Sequence, residues 1–329
     1  MTVCASLVNL TVAQQSASAI TDLLATDSIW HIDIRTDWNH LFADRSDSLE
    51  YQRAYVTWQI GDSLIERKAK VRLRGNFRRR ADVCSFPPFK LRFSKEQRAG
   101  TPFQMHKHLK VVTHCMEESF LLREYLVYRT YEKLTPYSFR ARLVKITYSS
   151  TQDTIPSQTY FAVLLEDDKT LAKRLGGELW EGDRLKPEQV DRQELTLLAL
   201  FQYMIGNLDW DISLHKNVDF VQIPGKEQPV VVPFDFDYSA MVNPPYTGIT
   251  PSYDRRRIGG WLCRDREEYN SAVQTILANK DEILELYRKF PHLSSQFRQE
   301  PAQYIRSFFR EAKRPTFLDL LEEFCEEEG

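Results

Sequence analysis

Apolar residues change their period partway along this chain, and the change dictates two kinds of structure. Between Ile29 and Leu165 they alternate with polar neighbours, the signature of a strand with one buried face. Ile32 with Ile34, Tyr55 to Ile60, Lys68 to Leu73, Phe89 to Phe93 and Leu109 to Thr113 are such segments. Arg140 to Tyr148 and Thr159 to Leu165 flank a Ser-, Thr- and Pro-containing turn and read as a hairpin. One helix interrupts them, from about Glu117 to Leu134, with Glu117 and Glu118 in its first turn and Pro136 beyond its end. From Pro187 the period is helical. Leu197, Leu198, Phe201, Met204 and Ile205 form one stripe, and Gly206 suits the C-terminal cap. Further helices are expected over Glu267–Tyr287, Pro301–Lys313 and Thr316–Cys325.

The stretch Tyr203 to Tyr238 carries the densest chemistry. It holds two acid pairs, Asp209 with Asp211 and Asp235 with Asp237, and between them His215, Lys216 and Asn217. An apolar strand, Val230 to Phe234, ends on Asp235. Residues two apart in extended chain point to one side, so each pair can aim two carboxylates at one spot. Crowded carboxylates take up protons unless a cation neutralises them, and Mg²⁺ or Mn²⁺ is the natural oxygen-liganded partner. A phosphotransfer division of labour can be assigned. Asp209 orients or deprotonates a hydroxyl, Asn217 offers a neutral oxygen to a metal, and Asp235 holds the metal against phosphates. Asp211 and Asp237 can take over either acidic role.

Upstream, Arg72 to Arg80 packs five arginines around Gly75. The turn Arg74-Gly75-Asn76, followed by Arg78, can present backbone N–H groups and guanidinium forks to phosphate. Lys90 alternates with Phe89 and Leu91, so it points away from the core on the strand after that turn. An acid is needed to hold such a lysine, and Glu124, Glu118 and Glu166 are the candidates. His106, His108, His114 and Cys115 match no common zinc spacing. Together these features lead to an α+β, bilobal, protein-kinase-like fold. Residues 29–166 are its antiparallel-sheet lobe with one helix, and residues 167–329 its mostly helical lobe.

A formal net charge of -2 argues against a molecule built as a whole for nucleic acid. No apolar run reaches the roughly twenty residues a membrane-spanning helix needs, so no integral membrane segment is expected. Nothing specifies an oligomer. Residues 1–28 read as a possible truncated export signal with a linker, which leads to an expectation of export. Cys84 and Cys115 are able to pair in an oxidising compartment.

Arg-Leu-Arg-Gly-Asn at 72–76, Phe-Pro-Pro-Phe-Lys-Leu-Arg-Phe at 86–93, the helix segment 122–134, the strand 159–168, Gly-Asn-Leu-Asp-Trp-Asp at 206–211 running on to Asn217, and Val-Pro-Phe-Asp-Phe-Asp-Tyr at 232–238 occur in one order. This set resembles the CotH family of spore-coat-type atypical protein kinases over roughly residues 30 to 260. The resemblance implies ATP as a ligand, a divalent metal, and phosphorylation of a protein substrate, the chain itself included. It further implies Lys90 on an ATP phosphate, Asp209 as catalytic acid, and Asn217 and Asp235 on the metal. Phe77 stands where the family usually has a small hydroxyl residue. Two other readings are a catalytically silent binding module and a metal-dependent phosphoester hydrolase on the same acids.

Overall fold

The computed structural model describes residues 22–43, 45, 50–152, 156–248, 256 and 262–326. The segment read as an export signal, apart from residues 22–28, lies outside them. Alternating sequence becomes strand throughout the first half: β1 (Trp30–Thr36), β2 (Gln52–Ile60), β3 (Ser63–Leu73), β4 (Phe89–Arg92), β5 (His108–Val112), β6 (Ala141–Ser150) and β7 (Gln158–Leu165). Three helices lie among them: α1 (Trp38–Ala43), the single turn α2 (Lys95–Arg98) and α3 (Glu118–Glu132).

These strands do not make the open antiparallel lobe expected of a bilobal kinase-like fold. They close into a seven-stranded barrel in the order β1-β2-β3-β4-β5-β7-β6. The closing seam is parallel: β1 runs alongside β6, with Trp30 paired to Val144 and Thr36 to Ser150. Closure pairs the backbone groups that two free edges would leave exposed. The kinase-like fold class is therefore corrected to a closed mixed barrel with helices packed outside it.

Inside the barrel, alternate residues meet as one core, among them Ile34, Val56, Val71, Phe89, Leu91, Val111, Ile146 and Leu164. The outer faces of β5, β6 and β7 are covered too: Val112, Leu143, Val163 and Leu165 join a second core shared with α3 and the later helices. Burial on both faces accounts for the run of apolar residues Phe161 to Leu165 at the end of β7.

The second half adds α4 (Asp168–Arg174), β8 (Glu178–Leu179), α5 (Arg192–Ile205), β9 (Val218–Gln222) and β10 (Val230–Pro233). A small antiparallel sheet in the order β10-β9-β8 carries the acid-rich stretch. Helix α5 starts on Asp191, whose side chain accepts from the Glu194 N–H, and stops at Gly206 with φ 63°. A Cβ at Gly206 would collide with the Tyr304 hydroxyl and the Ala240 methyl, so glycine is required on two counts.

The helix expected over Glu267–Tyr287 is two, α6 (Arg266–Ala278) and α7 (Lys280–Lys289), parted at Asn279. The next, α8 (Ser295–Glu311), starts before Pro301 on the Ser294 cap and holds that proline inside. Proline cannot donate to the carbonyl four residues back. Here that carbonyl, Phe297 O, accepts from Arg123 Nε at 3.1 Å. Last comes α9 (Phe317–Glu326). No helix among the described residues is long and apolar enough to cross a membrane.

Candidate functional site

The arginine-rich turn after β3 folds inward. Arg74 N–H donates to Pro88 O at 2.9 Å, and Gly75 takes the left-handed conformation at φ 79°, while Asn76 is exposed. A disulfide between Cys84 and Cys115, with Cα atoms 4.9 Å apart, fastens the far end of the turn to the segment before α3. The pairing considered from the sequence is thus made.

Arg78 is the buried centre of the cluster, 8% exposed. Its Nη1 donates to Glu124 Oε2 at 2.9 Å, its Nη2 to Asp235 Oδ1, and its Nε lies 3.4 Å from Asp237 Oδ2. Asp237 Oδ2 also accepts from the Tyr246 hydroxyl at 2.6 Å. The Tyr128 hydroxyl, one helical turn from Glu124, accepts from the Asp235 N–H at 2.9 Å. One guanidinium cannot neutralise three carboxylates. Burial pushes the Asp237 carboxyl up to about 7, with Arg78 opposing and Asp235 and Glu124 adding to the rise. Burial likewise raises Glu124, against the pull of Arg78. Burial disfavours the Arg78 charge, but Asp235, Asp237 and Glu124 outweigh it and hold the guanidinium firmly protonated.

The other acid pair, Asp209 with Asp211, is divided between two environments. Asn217 Nδ2 donates to Asp209 Oδ2 at 2.9 Å and to Asp209 O at 2.6 Å, and Lys216 Nζ pairs with Asp209 Oδ1. Asp211 instead accepts from Leu214 N–H at 2.7 Å and closes a short bridge with Lys216. That is turn capping by an acid. His215 Nε2 accepts from Leu185 N–H at 3.0 Å, an anchoring role. Asn217 and Asp235 both have positive φ, 54° and 60°, and Phe234 N–H donates to Asn217 O at 3.0 Å. A backbone hydrogen bond therefore ties Asn217 to the residue before Asp235. Non-glycine residues in this region of φ are sustained only where the surroundings over-determine them.

Lys90 is not held by Glu124, Glu118 or Glu166. Its Nζ lies 2.5 Å from Asp167 Oδ1. Glu166 is clasped by Arg174 at 2.9 Å, Glu118 accepts from Phe161 N–H at 2.5 Å, and Glu124 belongs to Arg78. Beside Lys90 on the next strand, in register with it, stands Lys110. Lys110 Nζ pairs with Asp168 Oδ1 and sits 5.0 Å over the Phe234 ring. Asp219, on β9, is hydrogen-bonded to Asp168. Burial pushes its carboxyl up to about 7, Lys110 pulls it down and Asp168 pushes it further up. Lys110 sits between Leu109 and Val111 just as Lys90 sits between Phe89 and Leu91, so the same alternation marks it.

Asp219 has a measurable consequence. Below about pH 4 it is protonated folded or unfolded. As pH rises towards 7 the unfolded chain releases that proton and the fold still holds it, so the fold loses stability across this window. Asp219→Asn, which keeps the neutral form, is expected to melt above wild type at pH 8 and level with it near pH 4. Thermal melts across that range check it.

Among the described residues no three or more His, Cys, Asp or Glu gather as a metal cluster. The zinc reading fails in detail: His106 Nε2 lies 2.6 Å from Asp22 Oδ1, and His114 stacks on Tyr160. Mg²⁺ commonly takes only one or two protein oxygens and completes its shell with phosphate and water. Asn217 and Asp235 fit that pattern. Asn217 Oδ1 makes no hydrogen bond within the described residues, since Nδ2 is turned to Asp209. Asp235 has a second oxygen beyond the one facing Arg78, and its side chain is 34% exposed. Asp237 is enclosed by Arg78 and Tyr246 and does not fit.

No family model matches this sequence, and no curated protein matches it. Among solved structures it is similar to the crystal structure of a Helicobacter pylori proinflammatory kinase, CtkA, at 11% identity and a TM-score of 0.38, over 74% of this chain and 93% of that one. An overlap of that size carries no argument about chemistry. The side chains must do so.

Proposed function

We propose that this chain transfers the γ-phosphoryl group of ATP to protein hydroxyls, its own included, in the manner of the CotH-type kinases its motifs resemble. The observation that carries the reading is the unit formed by Asp209, Asn217 and Asp235. Asn217 binds Asp209 with its side-chain amide and receives the Phe234 N–H on its backbone carbonyl. A base candidate and two metal-ligand candidates thereby share one hydrogen-bonded frame. In the proposal Asp209 orients the attacking hydroxyl, with Lys216 beside it as its ion-pair partner. Asn217 Oδ1 and the outer oxygen of Asp235 would hold Mg²⁺ or Mn²⁺, which when bound neutralises charge on the transferring phosphoryl group. In the proposal Lys90 and Lys110, now paired with Asp167 and Asp168, would meet the nucleotide phosphates.

A second reading, a catalytically silent binding module, is favoured by one observation: the Arg78 guanidinium already sits on Asp235. Thermal-shift titration separates the two. ATP with Mg²⁺ or Mn²⁺ is expected to raise the melting temperature of wild type and to leave Asp235→Asn unmoved, with radiolabel from γ-labelled ATP appearing on wild type alone. An unshifted wild type rejects the kinase reading in favour of the binding module.

A further inference from the structure

The outer face of the barrel carries a charge arrangement that the proposed phosphotransfer does not use. In register across three adjacent strands stand Arg53 on β2, Lys70 on β3 and Arg92 on β4. Neighbouring strands lie roughly 5 Å apart, and like charges placed directly opposite destabilise a sheet. Lys68, two residues before Lys70, adds a fourth charge on the same face. Lys95 and Arg98 of α2, with Lys107, close the other wall of a groove of about 630 Å³ that all seven line.

Among the described residues no carboxylate lines the groove. Among the described residues, none of the seven cations makes an ion pair. The contrast with the neighbouring row is instructive. One step along the same strands, Arg72, Lys90 and Lys110 are also in register, but there Asp167 and Asp168 hold Lys90 and Lys110. Two aromatic contacts organise the boundary between the rows: Arg72 and Arg92 lie 4.9 Å and 5.5 Å from the Tyr51 ring centroid. Arg98 Nε is buried without a hydrogen-bond partner. A chain with 46 acids and 44 bases has ample carboxylates to pair these groups, yet among the described residues none forms an ion pair with them.

We infer that this groove is a binding site for a compact anion bearing several phosphate groups, either free or as the headgroup of a lipid. The volume lies within the range of small-molecule sites, which suits a compact ligand better than a long polymer. Charge density selects phosphate. Seven cations around so small a space call for several negative charges in one small molecule, and phosphate supplies up to two per group. Arg53 and Arg92 add the planar forks that engage phosphate oxygens in pairs. The inference stands whether or not the chain transfers phosphoryl groups.

The test is calorimetric titration of the full chain with inositol hexakisphosphate, and vesicle co-sedimentation with phosphatidylcholine alone or containing phosphatidylinositol bisphosphate. Single-stranded DNA is the comparison ligand. Saturable binding of the soluble phosphate is expected, weakened about tenfold or more in Arg53→Gln/Lys70→Gln and unchanged in Lys313→Gln, an exposed lysine of the helical half. Co-sedimentation only with the phosphoinositide vesicles, lost in the same double variant, identifies the lipid headgroup as the source. Soluble binding without co-sedimentation identifies a free anion. Since both substituted residues are exposed, the double variant is expected to melt no lower than wild type, and in low salt higher. Absence of binding in both arms, binding unaltered by the double substitution, or tighter binding of DNA than of the phosphates overturns the proposal.

Discussion

Replacing Arg78 by methionine is expected to destabilise the fold by roughly 3–5 kcal/mol, the cost of leaving buried charge without its partner. Arg78 is the common partner of Glu124, Asp235 and Asp237, which come from α3 and from the segment after β10. Methionine matches much of the side chain's bulk, so lost packing contributes little. What remains is a cluster of carboxyls, two of them nearly enclosed, with no cation. Glu124 suffers most, because its other oxygen already lacks a hydrogen bond. Denaturant unfolding gives the measurement, and a second substitution gives the mechanism. Glu124→Gln in the Arg78→Met background removes one of the stranded charges and should recover part of the loss, whereas in wild type it should cost stability. Arg78→Lys should fall between, since an ammonium cannot reach three carboxylates with the guanidinium's fork. If Arg78→Met unfolds at the wild-type denaturant concentration, the cluster is not what joins the turn to α3 and β10.

Much of this architecture is legible in the sequence because local periodicity is a direct record of burial. The alternation around Lys90 put it on the outer face of a strand, where it lies. Gly206 was legible as a cap because nothing else tolerates that φ so cheaply. The closure of the barrel was not legible. It depends on Trp30 to Thr36 meeting Val144 to Ser150 in parallel, and alternation identifies a strand without naming its partner. An open antiparallel lobe and a closed mixed barrel have the same pattern of buried positions along each strand. The split at Asn279 was hidden for a related reason: α6 and α7 bury stripes against the same core, so the apolar recurrence continues across the break.

The candidate site was half legible. The acids Asp209 and Asp235 and the amide Asn217 were singled out by type and order, and the fold sets them in one hydrogen-bonded frame. The partners of Lys90 and Glu124 were misread, because the choice depends on helix phase and on where the turn after β3 goes. A signal was present. Glu124 and Tyr128 are four apart on α3 and share a face, and that face meets Asp235. The stretch Glu166-Asp167-Asp168 leads from β7 into α4 with three consecutive acids, yet each goes to a different cation: Arg174, Lys90 and Lys110. Identity of residue alone could not apportion them.

Asp209→Asn is expected to lower label transfer by about 10²–10⁴-fold, the range associated with loss of a positioned general base, while Asp211→Asn should change it by no more than about threefold. The two acids are two residues apart and of one chemical type, so only their environments separate them. Asp209 accepts from the Asn217 amide and pairs with Lys216, within the frame that carries Asp235. Asp211 has an oxygen committed to the Leu214 N–H, where it caps the turn. Asparagine can replace that acceptor with its own carbonyl oxygen and keep the turn. It cannot replace the charge of Asp209. Single-turnover transfer from γ-labelled ATP, with melting temperatures recorded for each variant, distinguishes lost chemistry from lost folding. Equal and large losses in both variants would transfer the catalytic role to the pair as a unit. A large loss in Asp211→Asn alone would reverse the assignment and require the turn at Asp211 to open when substrate binds.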